Sequence, residues 1–267
     1  MTGKTIAIHS CRGGTGKSVI AANLAVILAR KGLNMALLDL DFRAPSLATV
    51  FSKDDKGLVK WWLNDFLNGK CAAEQVIMDV SGKYDLKRKL LIGLANPSIE
   101  AIRGMADKSS SWEVTAVKRI FSLLSSLFKK MEIDLCIIDT SPGVQYSSIN
   151  AVVSSDLSIV ITTLDSLDLK GTRNLLLDLY DPLERKSVVL VNKYSPETRL
   201  SKDKNPEDII SRVEESLKHP VIGIIPCFCD VLERERAAIM AVKYPGHQFV
   251  RNLEEIADNL RNMEQIC

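Results

Sequence analysis

The 267-residue chain has little of what marks a membrane, secreted or disulfide-bonded protein. It contains no apolar run near the roughly 20 residues that a membrane-spanning helix requires. It opens with a strand pattern rather than with a charged segment followed by an apolar signal region. Its six cysteines are thinly spread, which favours reduced thiols over a disulfide framework. We therefore expect a cytoplasmic protein with free thiols.

An excess of one charge sign is also missing. Lys and Arg total 35 against 33 Asp and Glu, so the formal net charge of +2 gives no strong attraction to nucleic acid or anionic lipid. No proline-rich linker, low-complexity tract or internal repeat divides the sequence. Together with a length typical of one α/β unit, these absences predict a single domain over residues 1–267.

What the sequence does contain is an alternation of apolar strands and helices. Short runs rich in Ile, Val and Leu predict strands buried on both faces. These runs are Thr5–His9, Met35–Leu40, Leu90–Leu94, Leu135–Ile138, Ser158–Thr162, Val188–Val191 and Val221–Ile225. Helices are predicted at Lys17–Arg30, Val114–Lys130, Leu169–Tyr180, Pro206–Leu217, Val231–Val242 and Phe249–Met263, and exposed loops at Ser52–Lys56, Pro97–Ser111 and Tyr194–Asn205. The alternation predicts the α/β class, a doubly wound and mostly parallel sheet with helices on both faces.

A glycine-rich segment follows the first predicted strand and opens the first predicted helix. In Cys11–Ser18 the glycines allow successive backbone N–H groups to turn toward an anion, and the helix N-terminus adds its dipole. Lys17 supplies a point charge and Ser18 can ligate Mg²⁺. The segment therefore predicts a nucleoside triphosphate site. The candidate phosphate-binding residues are Gly13, Gly14, Thr15, Gly16, Lys17, Ser18 and Val19.

The same segment carries a resemblance to a known family. Cys11 stands where the usual loop has its first glycine, and the remaining R-G-G-T-G-K-S resembles the deviant K-G-G-x-G-K-S/T loop of the MinD/ParA family of P-loop ATPases. The resemblance implies that Arg12, at the place of the signature lysine, reaches the partner's phosphates across a nucleotide-sandwiched dimer. Arg keeps the charge and offers a planar fork to phosphate oxygens. Val19 departs from many relatives, which carry a second hydroxyl for the α-phosphate there.

Two carboxylates end the second predicted strand. Asp39 and Asp41 lie at the C-terminal edge, where open α/β sheets bind ligands, and alternation points both to one side. The segment resembles the family's switch I, which implies that Asp41 orients the attacking water and that Asp39 lies near the metal. The alternative is that each aspartate only caps a turn.

The run Cys136–Ile138 ends in D-T-S-P-G, an acid followed by a glycine turn. An acid so placed can hold Mg²⁺ through its water shell, and Gly143 can offer an N–H to a γ-phosphate. This segment resembles the family's Walker B and switch II, especially the D-T-P-P-G form of the Mrp branch. The predicted metal residues are Ser18, Asp39 and Asp139. A helix cap is the alternative for Asp139.

Two further positions bear on the base of the nucleotide. Asn192 ends another predicted strand and matches the family's adenine-contacting asparagine, while Pro226 belongs to an I-P turn like the one beside the base in the family. Ser195 replaces the acid of the guanine-reading N-K-x-D pattern, so ATP is favoured over GTP. A plain turn residue is the alternative for Asn192.

The sequence thus predicts a Mg-dependent ATPase switch with ATP and Mg²⁺ as cofactors. Its predicted catalytic residues are Asp41, Lys17 and Arg12. Its predicted partners are a second copy of the chain in the ATP-bound dimer and a protein activator or cargo adaptor, for the spatial positioning or partitioning of a cellular cargo. Two alternatives remain open. One is a metal-cluster carrier or maturation ATPase like the Mrp proteins, suggested by the pair Cys227 and Cys229. The other is a non-hydrolysing, nucleotide-locked scaffold.

Other partners receive less support. The tail Leu253–Cys267 has an apolar stripe but a largely acidic polar face, which anionic lipid would repel, so we expect a packed helix rather than a membrane anchor. DNA binding is possible only through scattered cations. These cations are Lys83, Lys87, Arg88, Lys89, Lys129 and Lys130. The three histidines show no metal-ligand spacing and are expected to be structural.

Overall fold

The computed structural model describes residues 3–52, 59–195, 205–228, 231 and 239–263. They form an eight-stranded sheet in the order β3-β4-β2-β5-β1-β6-β7-β8. The strands are β1 (Lys4–His9), β2 (Met35–Leu40), β3 (Ile77–Asp79), β4 (Leu90–Gly93), β5 (Leu135–Thr140), β6 (Leu157–Thr162), β7 (Ser187–Tyr194) and β8 (Val221–Pro226). All pairs are parallel except β3 with β4. The predicted doubly wound sheet is therefore confirmed, with one antiparallel edge strand that the sequence did not predict.

The described helices flank this sheet. They are α1 (Lys17–Arg30), α2 (Leu47–Ser52), α3 (Leu63–Leu67), α4 (Ile99–Ala106), α5 (Ser110–Lys129), α6 (Tyr146–Val153), α7 (Ser166–Leu175), α8 (Pro206–Leu217), α9 (Met240–Lys243) and α10 (Gln248–Asn262). A π-helical turn, Leu176–Tyr180, continues α7, and short 3₁₀ turns span Ala73–Val76 and Gly82–Tyr84. None of the helices in the described ranges is long and apolar enough to cross a membrane.

Alternate residues of each strand face opposite layers. In β2, Leu37 packs into the core shared with α1, α2, α9 and α10, whereas Leu38 packs into the core shared with α3 and α5. A third cluster joins β6 and β7 to α7 and α8. Because strands buried on both faces need apolar side chains at nearly every position, the continuous apolar runs were a reliable strand signal.

Helix α1 is the element that fixes the site. Eleven of its residues, from Lys17 to Ala29, are buried, and its apolar side chains point in all directions because sheet and helices enclose it. The buried Asn23 ties it to α9, accepting a hydrogen bond from the Ala241 N–H at 2.7 Å and donating to the Val19 carbonyl at 2.7 Å. The N-terminus of α1, and the loop before it, therefore have a fixed position at the sheet edge.

One predicted loop proved wrong. Pro97–Ser111 contains all of α4 and the first residues of α5, because serines cap both helices. Ser98 accepts from the Ala101 N–H and Ser109 from the Trp112 N–H, each at 3.3 Å. Serine is common in loops and equally common as an N-cap, so composition alone did not separate the two.

Other predictions fall partly outside the described residues. These are the loops Ser52–Lys56 and Tyr194–Asn205, of which residues 53–58 and 196–204 are not described, and the helix Val231–Val242, of which residues 232–238 are not. Near the C-terminus, α10 buries its apolar stripe, including Leu253, Ile256 and Leu260, in the core beside α1. The prediction of a packed helix there is confirmed.

Candidate nucleotide site

The glycine-rich loop connects β1 to α1 at the C-terminal edge of the sheet. β1 pairs with β5 on one side and β6 on the other, so the loop lies where the strand order reverses, the usual ligand position in such sheets. Gly14 and Gly16 have φ values of +80° and +97°, in the left-handed region that favours glycine. A Cβ on Gly16 would lie 2.6 Å from Asn192 Nδ2, so the loop requires a glycine there.

Strand β7 holds this loop from the side. The Asn192 amide donates to the Thr15 carbonyl at 2.7 Å, and the Lys193 ammonium donates to the Gly14 carbonyl at 2.6 Å. Lys193 has a φ of +57°, an uncommon conformation for a lysine, which brings its side chain to the loop. Asn192 was predicted from the sequence, whereas Lys193 was not, although the adjacent N-K dipeptide was an available signal.

The N-terminus of α1 is suited to an anion. Gly16 occupies the N-cap without a side-chain hydrogen bond, and the described first turn carries no acidic residue. Such a turn leaves backbone N–H groups and the positive end of the helix dipole available to a phosphate. Lys17 adds a buried ammonium that donates to Ser10 Oγ at 3.1 Å. Burial lowers the pKa of Lys17, and the carboxylates of Asp139 and Asp41 oppose that fall.

Two buried aspartates lie side by side below the loop. Asp39 on β2 and Asp139 on β5 are direct neighbours in the parallel register, and both are fully buried. Burial raises the pKa of Asp139 to about 7, and the nearby Lys17 ammonium opposes this rise. Burial and the neighbouring carboxylates of Asp139 and Asp41 raise the pKa of Asp39.

These carboxylates fit a divalent cation. Asp39 Oδ2 and both oxygens of Asp139 are buried without a hydrogen-bond partner among the described residues. Burying such oxygens unpaired is costly, and Mg²⁺ would remove the cost. The described residues contain no group of three or more Asp, Glu, His or Cys placed to hold a metal by themselves. A cation here would therefore depend on nucleotide phosphates and water for its remaining ligands, the usual arrangement for Mg²⁺.

Asp41 connects the two predicted switch segments. Its Oδ1 accepts from the backbone N–H groups of Arg43 and Ala44, at 3.2 and 3.1 Å, and from Ser141 Oγ at 2.8 Å. The turn-capping geometry considered as the alternative is thus present. The bond to Ser141 goes beyond a cap, because it links the end of β2 to the segment after β5. Its carboxylate is consequently fixed beside Asp39 and Asp139.

The remaining predicted residues lie around the same edge. Gly143, at φ +71°, donates its N–H to the Ser10 carbonyl at 2.9 Å. Pro226 ends β8 and pairs with Tyr194 of β7. Val19 lies in the first turn of α1, where it packs against the apolar core. The structure thus brings the loop, both switch segments and Asn192 together, and it leaves the predicted adenine contacts of Asn192 and Pro226 as predictions.

Helix α7 contacts the two residues in which the loop departs from the family pattern. Arg12 Nη1 lies 3.1 Å from Asp165 Oδ1, and both side chains are about half exposed, at 50% and 56%. Cys11 Sγ donates to Asp168 Oδ1 at 3.1 Å and packs on Gly171, where an added Cβ would lie 2.9 Å from the sulfur. Burial and the hydrogen bond to Asp168 raise the pKa of Cys11 to about 11. Neither aspartate was predicted from the sequence.

The structure adds little support for DNA binding by the six candidate cations or for metal binding by Cys227 and Cys229. Three of the six cations are engaged locally, since Lys83 donates to the Phe51 carbonyl at 3.0 Å, Lys89 to the Met131 carbonyl at 2.9 Å, and Lys130 lies 2.8 Å from Glu74. Cys227 is exposed after β8, and Cys229 lies outside the described residues.

Two of the histidines have structural partners, as expected. His219 bridges Ser187 and Asp181, and His247 caps α10.

The chain is similar in sequence to P-loop and ATP-binding proteins over most of its length. Residues 2–261 match the model of the ParA family, described as NUBPL iron-transfer P-loop NTPase. An uncharacterised ATP-binding protein of Methanocaldococcus jannaschii is 30% identical over 265 residues, covering 96% of this chain and 86% of that protein.

Solved structures show the same fold. The septum site-determining protein MinD of Pyrococcus horikoshii, complexed with Mg-ADP, aligns with a TM-score of 0.76 and 22% identity, covering 97% of this chain and 96% of that one. A chain of the MinC:MinD cell division protein complex from Aquifex aeolicus aligns with a TM-score of 0.71 and 20% identity, covering 98% of this chain and 97% of that one.

Proposed function

The chain belongs to the ParA family of P-loop NTPases, and from this premise we propose that it is an ATP-binding, slowly hydrolysing switch that dimerises around ATP. The observation that carries the proposal is the juxtaposition of an uncapped helix N-terminus, the buried Lys17 ammonium and the unpartnered oxygens of Asp39 and Asp139. A bound polyanion would pair with the helix N-terminus and the Lys17 ammonium, and a divalent cation would pair with the aspartate oxygens. The Mg-ADP in the Pyrococcus MinD structure supports the same ligand pair.

In the proposed reaction, the backbone N–H groups of Gly13–Ser18 and the ammonium of Lys17 bind the phosphates and stabilise the charge that develops during transfer. Lys17 must leave Ser10 to do so. Ser18 and Asp139, with Asp39 nearby, would hold Mg²⁺, which neutralises phosphate charge when bound. Asp41, already fixed by Ser141, positions the attacking water.

Dimerisation would involve Arg12. Its guanidinium projects half exposed from the loop, so it can leave Asp165 and reach the phosphates bound to a second copy. The adenine would lie near Asn192 and Pro226, on the β7 and β8 side of the loop. Hydrolysis then removes the γ-phosphate contacts, and the dimer dissociates into monomers. A protein activator or cargo adaptor would use this cycle in spatial positioning, as the MinC:MinD complex suggests for that relative.

The test is ATP-dependent dimerisation together with phosphate release by the purified full chain. We expect a monomer with ADP, a dimer with a non-hydrolysable ATP analogue and Mg²⁺, and slow phosphate release that chelation of Mg²⁺ abolishes. Lys17→Ala should abolish ATP binding, because it removes the main localised positive charge of the loop. The matched control is Lys186→Ala, which removes an exposed lysine one residue before β7 and should bind ATP like the wild type.

The outcomes separate the alternatives. Unchanged ATP affinity in Lys17→Ala would refute the site assignment. A stable ATP-bound dimer without phosphate release, even with candidate partners, would identify the non-hydrolysing scaffold instead. A monomer in every nucleotide state would refute the switch.

A metal-cluster carrier is the second candidate function, favoured by the iron-transfer description of the matching family and by the exposed Cys227. Its cargo would be a metal ion or cluster bound by thiolates of two copies. Metal and sulfide analysis after anaerobic purification tests it, with Cys227→Ser beside the control Cys71→Ser. Stoichiometric metal lost only in Cys227→Ser would support the carrier, and its absence from the wild type would refute it.

A further inference from the structure

One buried titratable side chain lies directly behind the phosphate loop and has no part in the proposed reaction so far. His9 is the last residue of β1 and is fully buried. Its Nε2 lies 2.9 Å from the carbonyl oxygen of Gly143, and its Nδ1 lies 2.9 Å from the hydroxyl of Tyr180. Tyr180 ends the π-helical turn after α7. His9 thus joins β1, the segment after β5 and the end of α7.

These two contacts determine which ring nitrogen carries the proton. A carbonyl oxygen can only accept, so Nε2 must donate to Gly143. Nδ1 of the neutral ring is then an acceptor, and the Tyr180 hydroxyl is its donor. A neutral ring is consistent with the surroundings, because burial, with a smaller effect from Lys17, lowers the pKa of His9 to about 4 despite the bond to Gly143.

Gly143 is held on both sides by hydrogen bonds. Its N–H donates to the Ser10 carbonyl at 2.9 Å, while its carbonyl accepts from His9 and from Ser148 Oγ, each at 2.9 Å. At φ +71° a glycine has no side chain to limit its rotation, so these bonds set its orientation. For the N–H of Gly143 to meet a γ-phosphate, it must leave Ser10 while the carbonyl remains held.

We propose that His9 is a positioning residue for ATP hydrolysis: its Nε2–H anchors the Gly143 carbonyl, so that the adjoining N–H can move from Ser10 to the γ-phosphate, and the Tyr180 hydroxyl, as donor to Nδ1, holds the ring in place. The inference rests on the proposed ATPase function. It also connects the switch to α7. One end of this helical segment contacts Gly143 through Tyr180 and His9, and the other end holds Arg12 through Asp165.

The test compares two amide side chains of different length, Gln and Asn, at position 9. Gln places its amide nitrogen near the location of Nε2 and can still donate to Gly143, whereas Asn reaches only the location of Nδ1. We expect His9→Gln to keep kcat for ATP within about threefold of the wild type, and His9→Asn and His9→Leu to lose about tenfold or more. ADP affinity, by calorimetry, should change less than about twofold in all three, because ADP has no γ-phosphate.

Two readouts do not require hydrolysis, so they separate a failure of this inference from a failure of the ATPase proposal. The ¹⁵N spectrum of the wild-type imidazole should show the Nε2–H tautomer between pH 5 and 8, and Tyr180→Phe should keep it, because the Gly143 carbonyl still requires a donor. Amide hydrogen exchange over residues 141–147 should be about tenfold faster in His9→Asn than in His9→Gln.

The reverse results overturn the inference. An Nδ1–H tautomer in the wild type would do so, as would equal exchange and equal kcat in the Gln and Asn variants. The tautomer is read from the wild-type spectrum and needs no substitution, so that measurement decides the inference even if a His9 variant does not fold.

Discussion

Arg12 and Asp165 form an ion pair between the phosphate loop and the N-cap residue of α7, with 3.1 Å between Nη1 and Oδ1. The same Asp165 oxygen caps α7, accepting from the N–H groups of Leu167 and Asp168 at 3.1 Å each. Ion pairs as exposed as this one contribute about 0–1 kcal/mol. A charge-assisted, bidentate contact with phosphate is stronger. The proposed dimer therefore requires an exchange of partners by Arg12 that is energetically easy.

The first prediction concerns this exchange. Asp165→Asn removes the charge that holds Arg12 and keeps a good helix cap, because Asn and Asp cap almost equally well. We expect the dimer with a non-hydrolysable ATP analogue to form at about two- to fivefold lower protein concentration in low salt, with the difference shrinking in high salt. Sedimentation measures it.

The control for this variant is Asp178→Asn, which removes the same charge from an exposed position further along the same helical segment. It should dimerise like the wild type. Equal effects of the two substitutions would attribute the change to net charge rather than to release of Arg12.

The main features of the fold could be predicted because each strand and helix carries its own apolar signal. β2, α1 and α8 have the predicted bounds, since long buried elements leave a continuous or periodic pattern in the sequence. β3 left none, as it has three residues, all partly or fully exposed, and pairs at an edge. α4 was missed because its eight residues include no buried one, so capping rather than burial determines its start.

The local motifs of the site could be predicted from the sequence, but the contacts between residues far apart in the chain could not. The loop and both switch segments could be recognised because each is a short local pattern. Asp165 and His9 could not, because their partners lie 153 and 134 residues away. Nothing local in D-S-L-D, at Asp165–Asp168, indicates an arginine and a cysteine opposite it. Such contacts become visible only once the sheet order has placed α7 beside β1.

The second prediction separates the two roles of Asp41. Asp41→Asn keeps an oxygen for the Arg43 and Ala44 N–H groups and for Ser141, so the turn should survive while the charge that orients water is lost. We expect wild-type ATP affinity, accumulation of the ATP-bound dimer, and kcat reduced about 100-fold or more. Phosphate release and sedimentation provide the measurements.

Asp41→Ala adds the structural loss to the catalytic one. It should show the same kinetic defect together with a lower Tm, because three hydrogen bonds disappear. Hydrolysis at the wild-type rate by Asp41→Asn would show that Asp41 serves only as the turn cap.

The third prediction uses the pH dependence of stability. Asp139 has a pKa of about 7 in the nucleotide-free fold, far above that of an unfolded aspartate, and the pKa of Asp39 is raised as well. Between the unfolded and folded pKa values the folded state binds more protons, so stability must fall as pH rises through about 4 to 7. We expect Tm to drop roughly 3–6 °C between pH 5 and pH 8 without ligand.

Mg-ADP should reduce that drop, because a bound cation compensates the ionised carboxylates. Asp139→Asn cannot ionise and should flatten the profile without ligand, while losing most of the Mg²⁺ effect. Asp134→Asn, on the loop just before β5, is the control and should keep the wild-type slope. An identical slope in Asp139→Asn would place the titrating group elsewhere.

The last prediction decides whether Arg12 acts across the dimer. If its guanidinium crosses to the partner's phosphates, Arg12→Ala should lose ATP-dependent dimerisation and hydrolysis while the monomer binds nucleotide nearly as before. Arg12→Lys should recover part of both, since it restores the charge without the fork. A contact with the phosphates of its own chain predicts the opposite, weaker binding by the monomer and little change in self-association. Sedimentation with a non-hydrolysable ATP analogue, beside a binding titration, distinguishes the two. Equal dimerisation of wild type and Arg12→Ala would leave an ordinary P-loop NTPase whose Arg12 serves only to hold Asp165.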